Sequence, residues 1–307
     1  MDALIRRIEQ IGNPVVAGLD PMLEYIPEHV KADAFAQLGN SPEAAAAAVL
    51  TYNKALIDAL ADVVPAVKPQ SAYYERFGWQ GMRALAETIR YAKAKGLYVI
   101  MDAKRNDIGS TMSAYAAAHL GTVDVNGTVY TPFGADALTV NGYLGSDCVL
   151  PCLETGKDIF VLCKTSNPSS GELQDLQREG VPLYAAMGDW CERWGANSIG
   201  AYGYSNAGAV VGATYPAQLA ELRKRLPHTF FLVPGYGAQG GAAADIAGAF
   251  DDNGRGAIIN SSRAILCAWK TANTPPEDFA LAARKEAVAM GRAINNELHT
   301  QLYTGIL

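Results

Sequence analysis

The sequence has little positive charge and few histidines. It carries 25 lysine and arginine residues against 31 aspartate and glutamate residues, a net charge of −6, and it has no basic cluster. Nucleic acids and anionic membrane surfaces attract dense positive charge, so we expect neither as a main partner. The histidines lie in helical or loop segments away from predicted strand ends, and we expect surface residues rather than acid–base catalysts at His29, His119, His228 and His299.

A long apolar run and a paired set of cysteines are also missing. No apolar stretch is long enough to cross a bilayer, and the N-terminal segment has no apolar signal core. The 5 cysteines are odd in number and scattered in apolar surroundings, which favours reduced, buried thiols over a disulfide framework or a zinc site. Such thiols are typical of a reducing compartment, so we expect a cytoplasmic protein.

Short apolar β-like runs alternate with helical segments along the whole chain. Ser41, followed by Pro42 at the first helical position, is a good helix start signal. The predicted strands are Pro14–Leu19, Val63–Val67, Leu97–Asp102, Ala137–Val140, Ile159–Lys164, Ala209–Ala213, Phe230–Val233 and Gly256–Asn260. The predicted helices are Pro42–Ala61, Gln80–Lys95, Ser110–His119, Leu183–Trp194, Pro216–Leu226, Ala243–Phe250 and Glu277–Tyr303.

This alternation predicts the fold class and the domain organisation. Eight β-then-α units fit the (β/α)8 TIM barrel, an α/β fold whose usual size is close to 307 residues. No low-complexity linker or short repeat divides the chain. We therefore expect residues 1–307 to form a single barrel domain with N-terminal and C-terminal helical extensions. The stretch Lys164–Gln177, rich in Ser, Asn, Pro and Gly, has the length and position of a lid.

Charges of alternating sign follow three successive predicted strands. Asp20 ends the first strand, Lys68 the second, and Asp102 and Lys104 the third. Strand alternation places Asp102 and Lys104 on the same face. One pair alone could also be a structural ion pair at a strand end. Because catalytic groups of a barrel lie at the C-terminal ends of its strands, the convergence of four charges favours an active site.

The segments after the seventh and eighth predicted strands have the composition of an anion-binding site. Residues 235–241, Gly-Tyr-Gly-Ala-Gln-Gly-Gly, let backbone amides approach an anion closely before a helix begins. Gln239 adds a side-chain donor, and Arg263 can bind a phosphate with two parallel hydrogen bonds. The segment also matches G-x-G-x-x-G, but Asn260 stands where a dinucleotide site needs an acid, and only one strand remains. We therefore exclude an NAD site here.

The third strand end also carries a family resemblance. The run from Asp102 to Ile108, Asp-Ala-Lys-Arg-Asn-Asp-Ile, matches the D-x-K-x-x-D-I signature of the orotidine 5′-phosphate decarboxylase family. Four further segments strengthen the match: Gly18–Pro21, Val67–Gln70, Thr165–Pro168 and Val233–Gly241. Nearly the whole chain resembles the longer bacterial form of these enzymes.

The resemblance implies an activity and a set of residue roles. The reaction would be cofactor-free conversion of orotidine 5′-monophosphate to UMP and carbon dioxide, the last step of de novo pyrimidine nucleotide synthesis. Lys104 would protonate C6 of the pyrimidine within a catalytic array completed by Lys68, Asp102 and Asp107. Asp107 and Ile108 would reach into the neighbouring protomer of a homodimer. The implied substrate-binding residues are Asp20, Ile108, Thr111, Ser166, Gly235, Gln239, Gly240 and Arg263, with Tyr236 either binding or packing.

Two other functions stay open from the sequence. A sugar-phosphate decarboxylase or aldolase of the same superfamily shares the signature but uses Mg²⁺, and Lys68 stands at a strand end where such enzymes tend to place an acidic ligand. A non-catalytic nucleotide-phosphate binder would keep the anion site. Such a protein would be expected to lose Lys104 or Asp102, and both are present.

Overall fold

Eight parallel strands close into a barrel in the order in which they follow one another along the chain. A computed structural model describes residues 1–236 and 242–304, with side chains for residues 1–236 and 242–298. The barrel strands are β1 (Val15–Leu19), β2 (Ala66–Pro69), β3 (Tyr98–Arg105), β6 (Ala137–Val140), β7 (Asp158–Lys164), β10 (Ala207–Val211), β11 (Phe231–Val233) and β12 (Ala257–Ser261). Two antiparallel hairpins lie outside the barrel: β4 (Val123–Val125) with β5 (Thr128–Tyr130), and β8 (Gln177–Arg178) with β9 (Val181–Pro182).

Helices surround the barrel and cover its outer face. They are α1 (Asp2–Ile11), α2 (Glu28–Leu38), α3 (Pro42–Leu60), α4 (Ala72–Glu75), α5 (Gly78–Ala94), α6 (Gly109–His119), α7 (Leu150–Leu153), α8 (Gly171–Gln174), α9 (Leu183–Gly195), α10 (Pro216–Arg225), α11 (Ala243–Ile246), α12 (Arg263–Leu266), α13 (Ala268–Thr271) and α14 (Phe279–Thr304). None of the helices in the described ranges combines the length and the hydropathy of a membrane span.

The core has two layers because strand side chains alternate between the two faces of the closed sheet. In β1, Val15 and Ala17 pack with the surrounding helices, whereas Val16 belongs to the cluster inside the barrel. Phe160 and Ile258 also belong to this inner cluster, which includes residues of α1 as well. Apolar packing therefore fills the barrel interior, and the charged groups lie at its C-terminal mouth.

The predicted fold class is confirmed. All eight predicted strands lie in the barrel, with ends that differ by a few residues. The predicted start of α3 is also confirmed, because the backbone N–H of Ala44 donates to Oγ of Ser41 at 3.1 Å. The helix predicted at Ala243–Phe250 is α11 followed by a 3₁₀ turn over Ala247–Ala249.

Several local features differ from the sequence-based expectations. Helices α1 and α2 and both hairpins were not predicted, although Asn126-Gly127 is a common hairpin signal and both residues have positive φ. His119 is 3% exposed and stacks between Tyr115 and Phe133, so the expectation of a surface residue is wrong there. His29 and His228 are exposed, and the side chain of His299 lies outside the described residues.

Candidate active site

The charged side chains predicted to follow the strands lie together at the C-terminal mouth of the barrel. Asp20 directly follows β1, Lys68 lies in β2, and Asp102 lies in β3. These three side chains line one cavity. Parallel strands end at the same edge of a closed sheet, so residues far apart in the chain meet there. Lys68 and Asp102 are almost fully buried, with side chains 5% and 8% exposed.

The Asp102 carboxylate accepts four hydrogen bonds. Its Oδ2 accepts from Nζ of Lys68 at 2.6 Å and from Nε2 of Gln70 at 3.0 Å. Its Oδ1 accepts from Nζ of Lys104 at 2.6 Å and from Oγ1 of Thr139 at 2.8 Å. A carboxylate has about four lone-pair positions, so this set occupies its acceptor capacity. The carboxylate is thereby fixed between two ammonium groups.

Electrostatics keep this cluster charged in spite of its burial. Burial alone would raise the pKa of Asp102, but the charges of Lys68 and Lys104 and their hydrogen bonds lower that pKa well below its usual range. For Lys68, burial favours the neutral amine. The carboxylates of Asp102 and Asp20 outweigh this effect and raise the pKa of Lys68. Both groups are therefore ionised at neutral pH.

Strand β3 is irregular where it carries Lys104. Its pairing with β6 shifts between Met101 and Arg105, so two extra residues of β3 bulge from the ladder. Lys104 has φ of 47°, in the left-handed region that favours glycine. Bulges often re-aim side chains at active sites. The contact between Lys104 and Asp102 was predicted from regular alternation, but the structure forms it through this bulge.

The cavity at the mouth has two lobes that share Lys68, Asp102 and Pro234. The first lobe, of about 350 Å³, is lined by Asp20, Tyr25, Lys68, Gln70, Tyr73, Asp102, Pro234, Gly235, Tyr236, Asn260, Ser262 and Arg263. The second lobe, of about 410 Å³, is lined by Lys68, Asp102, Lys104, Thr139, Leu162, Thr165, Ser166, Asn167, Gln174, Val210, Leu232 and Pro234. Lys104 thus faces the second lobe, next to the shared Asp102.

The first lobe presents polar groups suited to a hydroxylated anionic ligand. Within the described part of the chain, Oδ1 of Asp20 and Oδ1 of Asn260 are buried and accept no hydrogen bond. Buried polar atoms are usually paired, so these oxygens can accept hydrogen bonds from ligand hydroxyls. Gly235 has φ of 99°, which opens its backbone to close approach, and Arg263 supplies positive charge on the same wall.

The second lobe combines apolar walls with polar groups after β7. Leu162, Val210 and Leu232 form its apolar part, and Ser166 is among the polar residues that line it. Apolar walls with a few placed polar groups are typical of sites that bind a small ring system. The two lobes together can hold an anion in the first and a ring in the second, with Lys68 and Asp102 at their junction.

The segment after β7, predicted as a lid, is attached to the barrel by a buried lysine. Nζ of Lys164 donates to Oδ1 of Asp175 at 2.6 Å and lies 4.4 Å from the ring centre of Tyr215. Gln174 bonds both to the backbone N–H of Thr165 at 2.9 Å and to its hydroxyl at 2.7 Å. These contacts hold α8 against the second lobe.

Not every residue predicted for the site lines the cavity. Asp107, Ile108 and Thr111 are absent from both lobes, and Ile108 is 59% exposed. Gln239 and Gly240 lie outside the described residues. Conversely, Gln70 and Thr139, which bond to Asp102, were not identified from the sequence.

Comparisons with known proteins agree on one family. The model of the orotidine 5′-phosphate decarboxylase / HUMPS family matches residues 14–274. An orotidine 5′-phosphate decarboxylase of Rhodopirellula baltica is 46% identical over 280 residues, covering 90% of this chain and 89% of the relative. One from Caldicellulosiruptor bescii is 40% identical over 273 residues, covering 88% and 90%.

Solved structures give the same result. The structure of Leishmania donovani OMP decarboxylase superposes with a TM-score of 0.74 at 32% identity, covering 97% of this chain and 98% of that one. The matched segment contains the barrel and the charged cluster at its mouth. By sequence and fold, this chain belongs to the orotidine 5′-phosphate decarboxylase family.

Proposed function

We propose that the cavity at the barrel mouth is where this chain decarboxylates orotidine 5′-monophosphate to UMP and carbon dioxide. The observation that carries this proposal is the Asp102 carboxylate, held at 2.6 Å from the ammonium groups of both Lys68 and Lys104. Relatives that are 46% and 40% identical are orotidine 5′-phosphate decarboxylases, which supports this reaction. The charged cluster supplies groups suited to its central chemical problem.

That problem is the negative charge that develops on a ring carbon as carbon dioxide leaves. An ammonium group beside C6 stabilises this charge electrostatically and can then donate its proton to the carbon. We assign this proton donor to Lys104, whose side chain is 45% exposed and faces the second lobe. The C6–carboxylate bond breaks, its electron pair stays on C6, and the Lys104 proton forms the new C–H bond. No cofactor enters this scheme.

Asp102 and Lys68 act in the same scheme by fixing charge around C6. Asp102 holds the Lys104 ammonium in place with its Oδ1, while its Oδ2 accepts from Lys68. Lys68 balances the charge of Asp102 in a nearly dry environment. Because these dipoles and charges are fixed before substrate arrives, little reorganisation is needed during the reaction.

The two lobes suggest how the substrate lies. The pyrimidine fits the second lobe, which Ser166 lines, and the ribose hydroxyls fit near Asp20 in the first lobe. Thr111 lines neither lobe of its own chain, and its assignment to the ribose comes from the family resemblance alone. We assign the phosphate to the first lobe, where Gly235 and Arg263 lie on the wall. Gln239 and Gly240 complete this assignment from the sequence. Binding of the remote phosphate contributes energy that stabilises the transition state at the ring.

Asp107 and Ile108 fit a role in a neighbouring protomer. Both follow the β3 bulge that carries Lys104 but line neither lobe of their own chain, and Ile108 is 59% exposed. We propose a homodimer in which these residues complete the partner's site. Mixing Lys104→Ala and Asp107→Ala protomers tests this, because a hybrid dimer then contains one complete site. Activity well above that of either parent is expected, and mixtures as inactive as the parents would contradict the shared site.

We further propose a single domain and a cytoplasmic location. Helix α14 packs on α3 and α12, and residues of α1 join the inner barrel cluster, which supports treating both ends as extensions of one barrel. Four buried cysteines and the half-buried Cys267, all with free thiols, suit a reducing compartment.

The direct test follows the loss of orotidylate absorbance after purified protein is added in excess EDTA. We expect turnover with release of UMP and carbon dioxide. Loss of activity on chelation would favour the Mg²⁺-dependent reaction class, against which the Lys68 ammonium at the second strand end argues. Tight UMP binding without turnover would favour a non-catalytic nucleotide-phosphate binder.

A further inference from the structure

We propose that Thr139 is a positioning residue that holds the Lys104 ammonium beside C6 of the substrate. This inference rests on the role assigned above to Lys104. Thr139 lies in β6, the fourth barrel strand, and is 1% exposed. It lines the second lobe of the cavity. Its hydroxyl contacts both residues on which the proposed proton transfer depends.

The contacts form a closed ring of three hydrogen bonds. The backbone N–H of Lys104 donates to Oγ1 of Thr139 at 3.0 Å. The Thr139 hydroxyl donates to Oδ1 of Asp102 at 2.8 Å. The same Oδ1 accepts from Nζ of Lys104 at 2.6 Å. The backbone and the ammonium group of Lys104 are therefore both tied to one pair of side chains.

The direction of these bonds follows from the chemistry of the groups. An ionised carboxylate can only accept, so the single hydroxyl proton of Thr139 must point to Asp102. The lone pairs of the hydroxyl then face the Lys104 N–H, which can only donate. A valine of the same shape would supply neither bond. The Thr139 hydroxyl is therefore needed for both hydrogen bonds.

The backbone of Lys104 explains why such support is needed. In the two-residue bulge, Lys104 has φ of 47°, a conformation that side-chain-bearing residues rarely adopt. Strained conformations persist where surrounding contacts fix them, and they cluster at functional sites. Thr139, on the neighbouring strand β6, accepts a hydrogen bond from the backbone N–H of Lys104. Without it, we expect the bulge to relax and the ammonium to move relative to C6.

The test replaces Thr139 by Val, which keeps the shape, and by Ser, which keeps the hydroxyl. A misplacement of order 1 Å reduces turnover by about 10²-fold, so we expect kcat of Thr139→Val to fall about 10- to 100-fold. The dissociation constant for UMP should change by no more than about twofold, because the binding groups are untouched. Thr139→Ser should recover most of kcat. Thr88→Val, at a fully buried threonine outside the cavity, is the matched control and should keep kcat.

The outcomes separate this inference from the proposed function. Wild-type kcat in Thr139→Val alongside an inactive Lys104→Ala would overturn the positioning role and leave the assignment of Lys104 intact. Activity in Lys104→Ala would instead remove the assignment itself. A Ser variant as slow as the Val variant would show that the methyl packing, and not the hydroxyl, matters. If the Val variant does not fold, Thr139→Ala provides the same comparison.

Discussion

Replacing Asp102 by Asn tests whether one carboxylate holds the charged cluster together. The Lys68 and Asp102 side chains are 5% and 8% exposed, so the pair is nearly dry. Removing one partner of a buried ion pair costs about 3–5 kcal/mol, because the other charge stays buried and unpaired. Since Asp102 also binds Lys104, we expect the free energy of unfolding to fall by an amount near the upper end of that range.

The same substitution should affect turnover and acid sensitivity. An amide cannot balance the Lys104 ammonium, and we expect kcat to fall about 10²–10³-fold, as when one preorganised electrostatic contact is lost. The pKa of Asp102 is lowered in the folded state, so its stabilisation is present at neutral pH and is lost as pH falls below the ordinary value of 3.8. The stability difference between wild type and variant should therefore narrow in acid.

Urea denaturation and initial rates measure both effects. Asp189→Asn is the control, because Asp189 pairs with Arg225 at 2.6 Å in a setting where the two side chains are 35% and 36% exposed. Such exposed pairs contribute about 1 kcal/mol or less. The double variant with Lys68→Met should regain stability but not turnover. If Asp102→Asn loses no more stability than Asp189→Asn, the Asp102 carboxylate does not hold the buried cluster together.

Three further predictions follow from other parts of the structure. Arg263→Ala should raise KM for orotidylate about 10- to 100-fold, since hydrogen bonds to a charged group contribute about 1.5–3 kcal/mol, and an unchanged kcat/KM would place the phosphate elsewhere. Asp175→Asn leaves the fully buried Lys164 without its carboxylate partner. The segment after β7 should then loosen, so that kcat/KM falls about tenfold and proteolysis in that segment becomes faster. Wild-type values of both would show that the Lys164–Asp175 ion pair does not hold the segment in place. Burial lowers the pKa of His119 to about 4 from 6.5, so the unfolded chain takes up a proton first as pH falls. Between pH 7 and pH 5, wild type should therefore lose about 2 kcal/mol more stability than His119→Phe, and equal losses would contradict the buried neutral ring.

The sequence was sufficient for the barrel and for the charges at its mouth. Continuous apolar runs identify parallel strands buried on both faces, and the residues that end those runs must meet at one edge. The sequence alone therefore assigns Asp20, Lys68, Asp102 and Lys104 to one mouth of the barrel.

The remaining features depend on pairing between distant segments. Thr139 stands inside an apolar run, and only the shift in pairing between β3 and β6 brings its hydroxyl to Lys104. His119 is buried because Phe133, beyond the β4–β5 hairpin, returns to stack on its ring. Neither the register nor this return can be derived from local composition. The β4–β5 hairpin, by contrast, has a local signal in Asn126-Gly127, whose positive φ angles suit a tight turn.

Donation of the proton to C6 by Lys104 can be tested by comparing turnover and nucleotide binding in three proteins. Orotidylate consumption is measured with wild type, Lys104→Ala and the control Lys95→Ala, whose lysine pairs with Asp58 away from the cavity. UMP affinity is measured on the same preparations. We predict no detectable turnover for Lys104→Ala, with UMP affinity retained and full activity in Lys95→Ala. Near-normal turnover in Lys104→Ala would exclude Lys104 as the proton donor.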